Sequence, residues 1–198
     1  MRSIASPPVI SHVIDPVMVS ACTMACMGNS PYRRLSGSRP NPIPPRGIPA
    51  LIFVDVDGTL LPFGAVSDYP NFARMDRRHG PRLLALGGEL WWATAWMDEA
   101  NDVIAPLLGL PQLPVVDLPA WADDFVDDRL CWKTRALVAH AAGRPFVWLD
   151  DEPTADDEEY VAAHHPAPAL LYRTEPDVGL TGPDFEAVAD WLRTSVGA

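Results

Sequence analysis

In "LIFVDVDGTLLPF", Leu51 to Phe63, an apolar run ends on two acids one residue apart, and a glycine and a threonine follow at once. Burying an unpaired carboxylate is strongly unfavourable, so a strand that ends this way implies a partner for the charge. Asp55 is of the type that attacks phosphorus and holds it as an acyl phosphate. Asp57, two positions on, shares its side of an extended segment. It is of the type that protonates a leaving oxygen and later takes a proton from water. Gly58 allows a sharp turn and a close approach to a ligand. Further along, "ELWWAT" ends in Thr94, Lys133 falls in the first turn of a helix, and "FVWLDDE" carries Asp150 and Asp151. A threonine hydroxyl and a lysine ammonium can hold phosphoryl oxygens. The crowded carboxylates would repel one another, and a hard dication such as Mg²⁺ relieves that repulsion and offsets phosphate charge.

These residues need elements that bring them to one place. Short apolar runs at Leu51–Asp55, Glu89–Thr94, Leu113–Val116, Phe146–Asp150 and Ala169–Tyr172 read as strands. Between them, helices are expected near Phe72–Leu86, Asp98–Leu108, Trp132–Ala142 and Thr154–His164, and a last one over Pro183–Thr194. Phe185, Val188, Ala189 and Leu192 give that last segment its apolar stripe, and Thr181 with Asp184 forms a capping box at its start. Alternation of continuous apolar strands with helices predicts an α/β fold, a parallel sheet covered on both faces. Ligands of such sheets sit beyond the carboxyl ends of the strands. The acids, Thr94 and Lys133 all fall at that edge.

The ordered set "DVDGTL", "WWAT", Lys133 and "LDDE" resembles the four motifs of the haloacid dehalogenase-like hydrolase superfamily, over residues 48–198. The resemblance implies a Rossmann-like α/β/α sandwich of about five strands in the order 3-2-1-4-5. It implies Asp55 as nucleophile and Asp57 as general acid/base. Thr94 would bind the phosphoryl group, and Lys133 would stabilise the nucleophile and the transferring group. The phosphate-binding set becomes Val56, Gly58, Thr59, Thr94, Ala95 and Trp96. The Mg²⁺ set is Asp55, Asp57 through its backbone carbonyl, and an acid of the Asp150–Asp151 pair, with Asp156 a weaker alternative. Family members that cleave carbon–halogen bonds lack an acid at the Asp57 position, so Asp57 implies a phosphatase. The intervals Asp57–Thr94 and Thr94–Lys133 must already supply strand and helix, which leaves no room for a full cap domain. The Pro62–Phe72 segment is then the expected flap over an open site.

Composition bounds the alternatives. Hydrophobic residues make up 48% of the 198, and seven are tryptophan, ample for a core. Arg2, Arg33, Arg34, Arg39 and Arg46 face Asp15 alone in residues 1–46, so the rest of the chain carries more than the whole net charge of −11. An acidic body repels polyanions, so nucleic acid is expected only through a partner protein, and the expected ligand is a phosphorylated molecule, small or bulky. Processing of nucleic-acid ends and non-catalytic phosphate binding are the competing readings. Residues 1–47 are Pro- and Arg-rich and read as a disordered extension. Its apolar stretch from Val17 to Met27 follows His12, Asp15 and Pro16 and does not read as a leader. No apolar run is long enough for a transmembrane helix. Three cysteines without a CxxC pair suit a reducing, cytoplasmic setting.

Other features have plainer expectations. Trp91 and Trp92 should point to opposite faces of their strand, into core. Trp96 is open between core and substrate wall. His164 and His165 read as exposed helix-end residues. Asp123, Asp124, Asp127 and Asp128 read as a solvated face.

Overall fold

The computed structural model describes residues 49–64, 70–119 and 129–197. The 1–47 extension, the tip of the expected flap and the acidic face at Asp123–Asp128 lie outside the described residues. Four parallel strands, β1 (Leu51–Val54), β2 (Glu89–Trp92), β3 (Phe146–Asp150) and β4 (Ala169–Arg173), form one sheet in the order β2-β1-β3-β4. The helices are α1 (His79–Ala85), α2 (Ala105–Leu108) after a π-helical turn over Ala100–Ile104, α3 (Thr134–Ala141), α4 (Ala155–His164) and α5 (Gly182–Trp191).

Among the described residues the sheet has four strands rather than about five. The Leu113–Val116 segment lies beside β2 but joins it only by a parallel bridge between Trp92 and Val115. Trp92 N–H donates to Pro114 O and Val116 N–H to Trp92 O, each at 2.9 Å. Pro111 and Pro114 have no amide hydrogen, so a longer ladder cannot form there. The expected order 3-2-1-4-5 is therefore short of its outer strand.

Alternation along the strands builds two cores. Ile52, Val54, Leu90, Trp92, Val147 and Leu149 pack with Leu83, Ile104, Leu108, Phe185, Val188 and Leu192, which come from α1, α2, α5 and the turns beside them. Leu51, Phe53, Phe146, Trp148 and Leu171 pack on the other face with Leu137, Ala141 and Val161 of α3 and α4. The layering is α/β/α, as in Rossmann-like folds. Trp91 and Trp92 do take opposite faces, with Trp92 fully buried and Trp91 half-buried against His140, ring centroids 4.3 Å apart.

The helix expected over Phe72–Leu86 is broken. Phe72–Arg74 is a single 3-10 turn, and Met75 is extended at φ −69°, ψ 122°. Asp76 then takes the Arg78 amide on its own Oδ1 at 2.9 Å, a local bond that competes with helix continuation. The expected capping box of Thr181 with Asp184 forms on α5, and a second, Thr154 with Asp157, starts α4. His164 is exposed, but His165 is buried, its Nε2 2.9 Å from Arg144 O and its ring against Phe146. The chain leaves α4 in extended conformation at His165, and this turns the ring inward. No helix among the described residues is long and apolar enough to cross a membrane.

Candidate active site

β1 delivers Asp55 to the carboxyl edge of the sheet, buried, its N–H donating to Leu149 O of β3 at 3.0 Å. A tight turn follows. Val56 O accepts from Thr59, Leu60 and Leu61 N–H at 3.3, 2.9 and 2.8 Å, and Gly58 N–H donates to Leu61 O at 2.9 Å. Gly58 sits at φ +68°, and a Cβ there would lie 2.5 Å from Asp151 Cγ, so both the turn and the neighbouring carboxylate require glycine. Thr59 is fully buried, and its hydroxyl faces Thr174 Oγ1 at 3.4 Å rather than opening on the acids. Thr174 also donates to Gly58 O at 3.0 Å, so the residue after β4 braces this turn from behind.

β3 delivers the second pair. Asp150 is 0% exposed. Its Oδ2 accepts from Lys133 Nζ at 2.7 Å and Trp148 Nε1 at 2.8 Å, and its Oδ1 accepts from the Glu152 amide at 2.9 Å. Asp151 is half-buried, and among the described residues no other side chain donates to its carboxylate. Asp55, Asp150 and Asp151 each offer a carboxylate oxygen, all within 4.8 Å of one another. Asp57 stands outside this trio, its two oxygens held by Trp96 Nε1 at 3.1 and 3.0 Å.

Lys133 is the N-cap residue of α3 and only 3% exposed. Its ammonium reaches Asp55 Oδ1 at 2.8 Å, Asp150 Oδ2 at 2.7 Å and Glu152 Oε2 at 3.3 Å. Asp157 holds this helix start in place. Fully buried, it accepts from Cys131 N–H at 2.8 Å and from the Thr134 hydroxyl, while also capping α4 through Thr154 N–H and Oγ1, both at 2.8 Å. One carboxylate thus ties the lysine turn to α4. Asp156, the weaker metal candidate, points out from the exposed side of the same helix. Its neighbour is the inward residue because the capping box fixes Asp157 at the third position of α4.

β2 delivers Thr94. Ala93 N–H donates to Val54 O at 2.9 Å, which sets Thr94 beside the end of β1, fully buried. Thr94 Oγ1 accepts from Trp96 N–H at 3.4 Å, Ala95 is exposed at the rim, and the half-buried Trp96 ring turns back onto Asp57.

Charge is out of balance here. Asp55, Asp57, Asp150, Asp151 and Glu152 surround one described ammonium. Burial pushes the Asp55 and Asp150 carboxyls up, against the pull of Lys133. Burial, reinforced by Asp150 and Glu152, pushes Asp151 up to about 8. Burial pushes Asp57 up to about 6, with the Trp96 hydrogen bond opposing. Burial alone would lower the Lys133 ammonium, but Asp150, Asp55 and Glu152 outweigh it and hold it above its ordinary value. Only protons or a cation can neutralise the remaining negative charge. The donor set is all oxygen and anionic, which suits a hard dication such as Mg²⁺. Asp151 is the better-suited ligand of its pair, because three donors already occupy Asp150.

Glu152, Trp148, Asp157 and Thr174 also support this site, although none was among the candidate residues. Only Asp157 had a visible signal in the sequence, the Thr154–Asp157 capping box. A groove of about 240 Å³ between α1 and α5, lined by Arg82, Leu86, Phe185 and Ala189 among others, shares no residue with the acidic cluster. Comparison of the chain with family models, with curated proteins and with solved structures gives no match.

Proposed function

We propose that the chain is a Mg²⁺-dependent phosphomonoesterase of the haloacid dehalogenase-like type, acting through an aspartyl-phosphate on Asp55. The observation that carries this reading is the meeting of Asp55, Asp150 and Asp151 within 4.8 Å, with Lys133 on two of them. Asp55 Oδ attacks phosphorus while the bond from phosphorus to the ester oxygen breaks. Asp57 gives its proton to that oxygen, so the alcohol leaves neutral. Asp57, now a carboxylate, takes a proton from water, whose oxygen attacks phosphorus and releases Asp55 and inorganic phosphate. Lys133 keeps Asp55 oriented and offsets charge on the phosphoryl oxygens. Thr94, with the rim of Ala95 and Trp96, borders the phosphoryl position. Mg²⁺ held by Asp55, Asp151 and the Asp57 carbonyl would bring phosphate and nucleophile together despite their like charges.

Asp57 is the residue that favours ester hydrolysis over carbon–halogen cleavage, and its proton affinity, raised to about 6, suits a group that must both give and take a proton near neutrality. The test is turnover of a panel of phosphate monoesters by the full chain with and without Mg²⁺. Wild type should release phosphate only with the metal, and Asp55→Asn should release none. Phosphate release by Asp55→Asn, or by wild type in excess chelator, overturns the proposed chemistry.

A further inference from the structure

Trp96 is followed by a residue whose backbone conformation its own side chain disfavours. The residue after it, Met97, sits at φ +46°, a left-handed backbone that a side chain bearing Cβ disfavours by roughly 1–2 kcal/mol. The surrounding turn holds it there. Met97 N–H donates to Thr94 O at 3.1 Å, Glu99 N–H to Trp96 O at 2.9 Å, and Ala100 N–H to Met97 O at 3.3 Å. The indole ring meets Phe72 edge-on, centroids 6.1 Å apart, which limits its swing. This fixed ring presents its N–H to both oxygens of Asp57 at 3.1 and 3.0 Å.

From this geometry we infer that Trp96 is a positioning residue for Asp57, holding that carboxyl clear of the Asp55–Asp150–Asp151 trio and aimed at the leaving oxygen of the ester. The inference rests on the phosphatase reading for its kinetic consequence. Removing the indole hydrogen bond weakens the hold on a carboxyl that lies within electrostatic reach of Lys133 and beside the proposed metal ligands. A carboxyl drawn to either is removed from the place where a proton must be delivered. One indole N–H can serve both states of the acid. It is shared between two oxygens when Asp57 is ionised, and it bonds the carbonyl oxygen when Asp57 is protonated, leaving the hydroxyl for the substrate.

A positioned acid matters most when the leaving group is poor. p-Nitrophenolate departs readily without a proton, whereas the alkoxide of benzyl alcohol does not. The experiment compares kcat/KM of the full chain with Mg²⁺ on p-nitrophenyl phosphate and benzyl phosphate, for wild type and Trp96→Phe. Positioned proton donors contribute about 10²–10⁴-fold, so Trp96→Phe should lose at least about tenfold more on benzyl than on p-nitrophenyl phosphate. An equal loss on both, or no loss, overturns the inference and leaves Trp96 as packing. A readout independent of turnover keeps the two claims apart. The indole N–H of Trp96, followed by ¹H–¹⁵N exchange, should be protected at least about tenfold in wild type relative to Asp57→Ala. An unprotected indole in wild type overturns the inference whatever the activity. Protection without turnover of any monoester overturns the phosphatase reading and sustains the contact.

Discussion

Replacing Asp151 by Asn should make the metal-free protein more stable, increasingly so as pH rises. Among the described residues Asp151 has no side-chain donor, and burial with Asp150 and Glu152 raises it from 3.8 to about 8. Between those two values the folded chain binds more protons at this site than the unfolded chain does. Stability therefore falls with rising pH across that window, and the loss levels off above about 8. A tenfold change in proton affinity is worth about 1.4 kcal/mol, so the whole rise sets an upper bound of roughly 6 kcal/mol. Asp55 and Asp150 share both protons and repulsion with Asp151, so the share of Asp151 alone lies below that bound. For a chain of this size each kcal/mol of it is a rise in Tm of about 2–4 °C. Thermal melts followed by circular dichroism in EDTA at pH 4, 6 and 8 measure it. The variant and wild type should nearly coincide at pH 4, with the variant leading at pH 8. Adding Mg²⁺ at pH 8 should raise wild type and leave the variant nearly unmoved, since the ligand is gone. A variant that is less stable at pH 8, or whose lead is the same at every pH, refutes the reasoning.

Other perturbations act on the supports of the site. Lys133→Met removes the ammonium from Asp55, Asp150 and Glu152 and leaves their charge buried, so unfolding in urea should become easier by about 3–5 kcal/mol at pH 8. That loss should shrink toward pH 4, where protons take the place of the ammonium, and the same urea series at both values checks it. Asp157→Ala strips a cap from α4 and leaves Cys131 N–H and the Thr134 hydroxyl without their acceptor, a loss of about 2–4 kcal/mol by the same assay. Because Asp157 lies outside the cluster of acids, this variant should still bind Mg²⁺ when folded, measured by calorimetry at low temperature.

Much of the scaffold was legible because periodicity is a local property. Strands of continuous apolar residues such as Phe146–Leu149 need no context to be recognised, and Thr181 announces its helix with an acid three residues later. The gathering of Asp55, Lys133, Asp150 and Asp151 followed from placing each at the carboxyl end of a parallel strand or the start of the helix beside it. What escaped the sequence was tertiary. Leu113–Val116 has the apolarity of a strand, but two prolines reduce its pairing to a bridge. His165 resembles its exposed neighbour and differs only in where the chain turns after α4. Thr59 and Thr94 read alike, as hydroxyls after a strand, yet Thr59 turns to Thr174, which is distant in sequence. Trp96 gave no hint of Asp57, because a partner 39 residues away is set by the fold and not by spacing.

The pairing of β1 with β3 also acts as a ruler. Val54 lies opposite Leu149, so the next residue on each strand is an acid, and the two acids inherit the gap of about 4.8 Å between neighbouring strands. A slip of one step would rotate Asp150 into hydrocarbon on the far side, and a slip of two would carry it several ångströms along the edge. The carboxylates proposed to grip a small ion are thereby held in register by the oily middle of the molecule. Loosening Ile52, Val54, Val147 or Leu149 would blunt the fit for a dication long before the chain came apart.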